Sequence, residues 1–304
     1  MKLGFSSVAC PTWDLPTLVT KAKAFGYQGI ELRGLCGQMH LPLCAELAAD
    51  PAATRALFAE AGVELVCLCS SAAFHYRDPR RVAANQAEAR EYVELAGKLG
   101  CRHVRVFAGE IPRALLGYES RDTVLQRVAA ALRGLAAFAQ RHRVTLLIEN
   151  SGDFVDSQSL WYWVDAAASP AVRACWSQFA ALTRGEPASL SLKRLGRLIG
   201  MVRMTDGVFA RGGAVESIEP PGKGRCDVPL QVELLKGLAF DGYLMFDWPK
   251  LWHAGLADAE RVLPDAQKYL RGLLDAKTVE LTAYRNDKNA PRFRTGRPAE
   301  PQPV

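Results

Sequence analysis

Four things are scarce in this 304-residue chain: histidine, of which there are five, long apolar runs, net charge of one sign, and cysteines in ligand-type pairs. Each shortage removes a class of function. No apolar stretch approaches the roughly 20 residues of a membrane-spanning helix, so no membrane role is expected. The opening MKLGFSSVACPTWDL has neither a long apolar core nor a small-residue cleavage site, so secretion is not expected either. Lys and Arg exceed Asp and Glu by only 38 to 32, and half of that excess lies within residues 276–304. The nearly balanced body argues against a nucleic-acid partner. Eight cysteines do not make a disulfide scaffold. Cys67 and Cys69 sit inside ELVCLCSS, and Cys101 and Cys175 border other apolar runs, so they read as small buried hydrophobes of a cytoplasmic protein. A lone C-x-C without a second Cys/His pair is a poor zinc signature.

What the chain does have is a repeated phrase, and a 49% hydrophobic composition sufficient for a full core. A short β-type run, a polar or glycine-rich turn and an amphipathic helical stretch recur about eight times. Strands are predicted to begin near Leu3, Gln28, Glu64, Arg102, Val144, Val172, Gly200 and Gly242. Helices are predicted over 15–25, 51–61, 79–99, 122–141, 157–168, 189–198, 229–237 and 258–275. Gly26, Gly62 and Gly100 each follow a helix and precede a strand, where a left-handed cap is wanted. Pro229 suits a first helical turn, with Asp227 near its start. Eight β-then-α units about 34 residues apart have the arithmetic of a (β/α)₈ TIM barrel over 1–275. A doubly wound sheet also alternates strand and helix, but its G-x-G-x-x-G first turn is absent after Leu3–Ser7.

In such a barrel the chemistry sits at the C-terminal ends of the strands. Those ends carry Glu31, Arg105, Glu149, Arg203 and Asp247, which are expected to converge on one mouth. Charge at the end of an apolar strand is unfavourable unless paired, so ion pairs closing the barrel top are the structural alternative to function. Glu31 and Arg33 are read as such rim pairing, whereas Glu149 and Asp247 are read as functional.

The stretches GFSSVACPTWDL, FGYQGIELRGL, AGVELVCLCSSAAFH, HVRVFAGEIP, LLIENSGDF, GKGRCDVPL and FDGYLMFDWPKLWH resemble the sugar phosphate isomerase/epimerase group with the xylose-isomerase-like TIM barrel. The likeness runs from about Lys2 to Leu274. Active members hold Mn²⁺ or Mg²⁺ with a Glu, an Asp, a His and a Glu at the ends of strands five to eight. The resemblance places Glu149 at the first position, Ser177 where Asp is usual, Arg203 where His is usual, and Asp247 at the fourth. Two ligands are replaced and one is shortened, and a fixed guanidinium repels a divalent ion, so no metal and no other cofactor is expected here.

Two functions follow from this reading. In the first, Glu149 and Asp247 move a proton next to a carbonyl while Arg203 supplies the charge that metal supplies in relatives. In the second, the barrel is a non-catalytic pseudoenzyme that serves as a binding or partner subunit. Arg105, His75, Ser177, Arg225 and Trp248 are the substrate-binding expectations, with Trp13 and Trp176 as further aromatic surfaces for a sugar. His40, His103 and His142 show no partner spacing, which sets the His-rich endonuclease branch aside. Beyond Ala276 the basic, Pro-containing run reads as a flexible tail or an arm for a second copy or partner subunit.

Overall fold

Alternation with a period of two decides the architecture. Along the barrel strands one set of side chains packs outward under helices, and the other points into the lumen. The computed structural model describes residues 1–114 and 117–276; the predicted tail beyond 276 lies outside the described residues. The strands are β1 (Lys2–Ser6), β2 (Gly29–Leu32), β3 (Glu64–Ala73), β4 (His103–Phe107), β5 (Arg113–Ala114), β6 (Gly117–Tyr118), β7 (Thr145–Glu149), β8 (Val172–Ser177), β9 (Ile199–Met204), β10 (Asp206–Phe209), β11 (Val215–Glu219) and β12 (Tyr243–Phe246). The helices are α1 (Leu15–Phe25), α2 (Ala45–Ala48), α3 (Pro51–Ala61), α4 (Pro79–Leu99), α5 (Arg121–Arg141), α6 (Ser157–Ala167), α7 (Gln178–Leu182), α8 (Ala188–Leu195), α9 (Val228–Gly237) and α10 (Ala259–Asp275).

Eight strands close into a barrel in the order β1-β12-β9-β8-β7-β4-β3-β2, every pair parallel. This is the TIM barrel expected from the repeat. The local signals act as read: Gly26, Gly62 and Gly100 adopt φ of 80°, 69° and 69° at helix ends, and the Asp227 carboxylate accepts from Leu230 N at the start of α9. Sequence periodicity misses four small elements. The hairpins β5–β6 and β10–β11 and the short helices α2 and α7 are too brief to show a period.

Leu3, Phe5, Ile30, Val104, Leu146, Ile148, Val202 and Leu244 belong to the outer core between sheet and helices. The lumen is a separate cluster of Val66, Cys67, Cys69, Leu147, Cys175, Met201, Tyr243 and Met245. It is crowded where β1 and β2 pass it: a Cβ on Gly4 would stand 2.6 Å from Met245 Sδ, and one on Gly29 would stand 2.4 Å from Val66 Cγ2. Glycine at those two positions is what lets large side chains fill the axis.

Candidate functional site

Above this sulfur-rich plug the lumen turns charged. Arg203, inward on β9, lies at the hub. Its Nη2 is 2.9 Å from Glu31 Oε1 on β2 and 2.9 Å from Asp247 Oδ1 just past β12. Its Nε donates to Asp247 Oδ2 at 3.3 Å, and its Nη1 is 3.5 Å from Glu149 Oε2 at the end of β7. Glu149 Oε2 also faces Arg105 Nε at 3.1 Å. Arg105 is fixed by two further contacts, since Nη1 donates to Ser70 O at 2.9 Å and its guanidinium lies 3.8 Å over the Phe107 ring.

Burial works against charge on both arginines, but the neighbouring anions outweigh it. Asp247, Glu31 and Glu149 hold Arg203 well above the ordinary guanidinium range. Arg105 is raised in the same direction, with Glu149 as its paired anion. The Glu31 side chain is wholly buried, whereas those of Glu149 and Asp247 are 13% and 24% exposed. Of these three carboxylates, Glu149 and Asp247 are the partly exposed pair.

The positions around the ring are held by the backbone and by spent side chains. Thr205 Oγ1 donates to Asp247 O at 3.1 Å, and Asp247 N donates to Met204 O at 2.9 Å. Asn150 ties β7 to β8: Nδ2 donates to Ser177 O at 2.9 Å, and Oδ1 accepts from Ser177 N at 2.7 Å. Ser177 stands beside Arg203 in the strand register, but its hydroxyl accepts from Ala180 N as the cap of α7.

Other expected site residues stand elsewhere. Trp248 is a correction: it is 2% exposed, packs in the outer core and donates from Nε1 to Ala257 O, so it offers no face to a substrate. Trp13 and Trp176 are likewise part of the outer core. Glu31 and Arg33 are not paired with each other. Glu31 meets Arg203, and Arg33 donates to Ser71 Oγ at 2.9 Å. Arg225 is exposed on a loop outside the ring. His40 pairs with Glu91 at 2.8 Å, and His103 Nδ1 lies 2.9 Å from Val66 O, both structural contacts.

His75 lines a cleft of about 1320 Å³ at the strand ends, shared with Tyr76, Arg81, Phe107, Glu110 and Asp153. Burial lowers its pKa, against the opposing pull of Glu110. Gly109, with φ +100°, is obligatory here, because a Cβ would stand 1.9 Å from His75 Nδ1. Phe107 joins the cleft to the ring through its contact with Arg105. A smaller cleft of about 610 Å³ opens beside Lys2, Glu64 and Tyr243, and no member of the ring lines it.

Sequence reasoning missed the work done by Asp206. Its carboxylate is 1% exposed and accepts from four backbone N–H groups, those of Gly207, Gly222, Gly224 and Cys226, at 2.8 to 3.0 Å. It therefore straps the loop that carries Arg225 onto β10. The glycine-rich run GKGRC was the available signal, since a Cβ on Gly224 would stand 2.2 Å from Asp206 Oδ1.

Comparison with solved structures returns the same architecture. The D-psicose 3-epimerase from Clostridium cellulolyticum H10, solved with D-tagatose, is 16% identical, with a TM-score of 0.73 over 91% of this chain and 100% of that one. The 3-keto-D-glucoside 4-epimerase from E. coli is 16% identical, with a TM-score of 0.72 over 90% and 99%. The IOLI protein, solved with a zinc atom, is 18% identical, with a TM-score of 0.76 over 90% and 98%. At these identities the likeness is one of fold. A search of curated proteins returns no match. Residues 19–273 match the family described as xylose isomerase-like TIM barrel, and with that span, the closed parallel barrel and the charged mouth together, the chain belongs to that family.

Proposed function

We propose that the protein is a sugar isomerase or epimerase that transfers a proton next to a carbonyl, with Glu149 and Asp247 as the acid–base pair and Arg203 as a built-in cation. One observation carries this reading: a single guanidinium lies 2.9 Å from Asp247 and 3.5 Å from Glu149 at the mouth of the barrel. Proton abstraction beside a carbonyl needs a carboxylate within reach and a positive charge to stabilise the oxygen of the enediolate. Arg203 presents such a charge in a fixed fork, Arg105 holds the Glu149 carboxylate, and Thr205 fixes the main chain of Asp247.

The donor set does not fit a divalent ion at this mouth. Arg203 projects among the carboxylates that would ligate it, and the Ser177 hydroxyl is committed to a helix cap. Two unit charges of like sign a few ångströms apart repel by about 4 kcal/mol at an intermediate dielectric, and a divalent ion doubles that. The proposal therefore assigns no step to a metal.

The test is proton exchange. Ketoses, their phosphates and related keto-sugars are incubated with the protein in deuterated water with EDTA present, and the α-proton signal is followed by NMR. The expected result is exchange that persists in EDTA, disappears in Glu149→Gln and weakens in Arg203→Lys, which keeps the charge but loses the fork. Exchange that appears only on adding Mn²⁺ overturns the metal-free mechanism. Silence across the panel favours the second reading, a non-catalytic binding subunit. That reading has its own support in the pairing of Glu149 with Arg105 and Arg203 and of Asp247 with Arg203.

A further inference from the structure

Glu31, the member of the ring carried by β2, also faces two thiols of β3. One carboxylate oxygen of Glu31 and the sulfurs of Cys67 and Cys69 all lie within 4.8 Å of one another, and all three residues are buried. The two sulfurs are 3.9 Å apart. Tetrahedral zinc with Zn–S bonds of about 2.3 Å spaces its sulfurs about 3.8 Å apart. The convergence is built into the sheet: the β2–β3 register shifts between Ile30 and Glu31, so that Glu31 pairs with Cys67 and Val66 is skipped. Bulges of this kind re-aim side chains.

A second observation points to a ligand. Neither carboxylate oxygen of Glu31 has a hydrogen-bond partner among the described residues, although the residue is 0% exposed. Oε1 lies 2.9 Å from Arg203 Nη2, as an ion pair without hydrogen-bond geometry. Oε1 is thus occupied by a cation, and Oε2 is the buried acceptor left open beside the two thiols.

We propose that Glu31, Cys67 and Cys69 form a zinc site in the barrel lumen, on the thiol side of the charged ring with which it shares Glu31. The charge arithmetic permits it. Zinc binding replaces two thiol protons by one Zn²⁺, so the lumen's net charge is unchanged and Arg203 does not oppose the ion. At the mouth, by contrast, the ring offers carboxylates and no thiol proton to release, so a divalent ion adds its whole charge. Thiolate ligands also select against Mg²⁺ and Mn²⁺.

The experiment uses the full-length, untagged protein, loaded with Zn²⁺ and passed through a desalting column. About one zinc per chain is expected, with a zinc-edge X-ray absorption spectrum showing two sulfur scatterers at about 2.3 Å. Cys67→Ser and Cys69→Ser should each lower affinity at least tenfold. Cys175→Ser, in the same lumen cluster, should leave it intact and so reports on packing damage alone. Glu149→Gln, which ends the proton exchange tested above, should keep its zinc, so the two proposals fail separately. A spectrum with only oxygen or nitrogen neighbours, or zinc retained in the doubly substituted Cys67→Ser/Cys69→Ser protein, overturns the site. The absorption spectrum needs only the native sequence, so it decides the question even where a variant does not fold.

Discussion

The two faces of the barrel strands obey different rules. Outward, Leu3, Phe5, Ile30, Leu146 and Leu244 meet helices in a continuous apolar layer. Inward, the same strands carry sulfur and then charge: Cys67, Cys69, Cys175, Met201 and Met245 below, with Arg105, Arg203, Glu31, Glu149 and Asp247 above. Burial of each outward side chain is worth roughly 1.5–3 kcal/mol and depends little on its neighbours' chemistry. The inward face is a network in which each group is tolerable only because of the others. The difference teaches where this chain tolerates change. A new aliphatic residue outside is a packing question, whereas a new residue inside reassigns charge.

The comparison breaks most visibly at Arg203. Arg203→Met leaves the wholly buried Glu31 without its cation, and a loss of about 3–5 kcal/mol is expected by chemical denaturation. A loss under about 1 kcal/mol would show that water reaches Glu31 and that the network is not held by mutual pairing. On the outward face, Leu146→Ala removes a fully buried side chain of β7 and is expected to cost about 3 kcal/mol. That loss should be the same at low and high salt, since no charge is involved.

The smallest effect is a pH dependence confined to the inward face. His103, on the inward alternation of β4 with Arg105, is held below its ordinary pKa of 6.5 by burial. The unfolded chain therefore takes up a proton near 6.5 and the folded chain only at lower pH. The stability that His103 contributes is complete above pH 6.5 and declines as pH falls toward its folded value. Unfolding midpoints at pH 7 and pH 5 should differ less in His103→Gln than in the native protein. An unchanged difference would assign the acid sensitivity to other groups.

Much of the fold is legible along the chain because it rests on local and periodic signals. The helix limits 15–25, 51–61 and 79–99 coincide with α1, α3 and α4. Each is bounded by a left-handed glycine and opens on a capping Asp: Asp14, Asp50 and Asp78. The convergence of Glu31, Arg105, Glu149, Arg203 and Asp247 is also legible, since an eightfold βα repeat places every strand end on one rim. Trp248 was misjudged because position after a strand says nothing of side-chain direction. One residue past the inward Asp247, it turns outward into the core. Asp206 escaped notice because its four backbone partners lie up to 20 residues away along the chain.

The sequence by itself determined the strand and helix pattern, the barrel and the identity of the charged rim residues, because those follow from hydrophobic periodicity and caps within a few residues. Only the tertiary structure decided which charges pair. Glu31 meets Arg203 rather than Arg33, and Asp247 and Glu149 share one guanidinium, through contacts spanning 44 to 172 residues of chain. It also brought Glu31 to Cys67 and Cys69 across a β-bulge, a third donor that the isolated C-x-C does not supply. The physical reason is that pairing in a lumen depends on strand register and closure, and no local stretch of residues contains either.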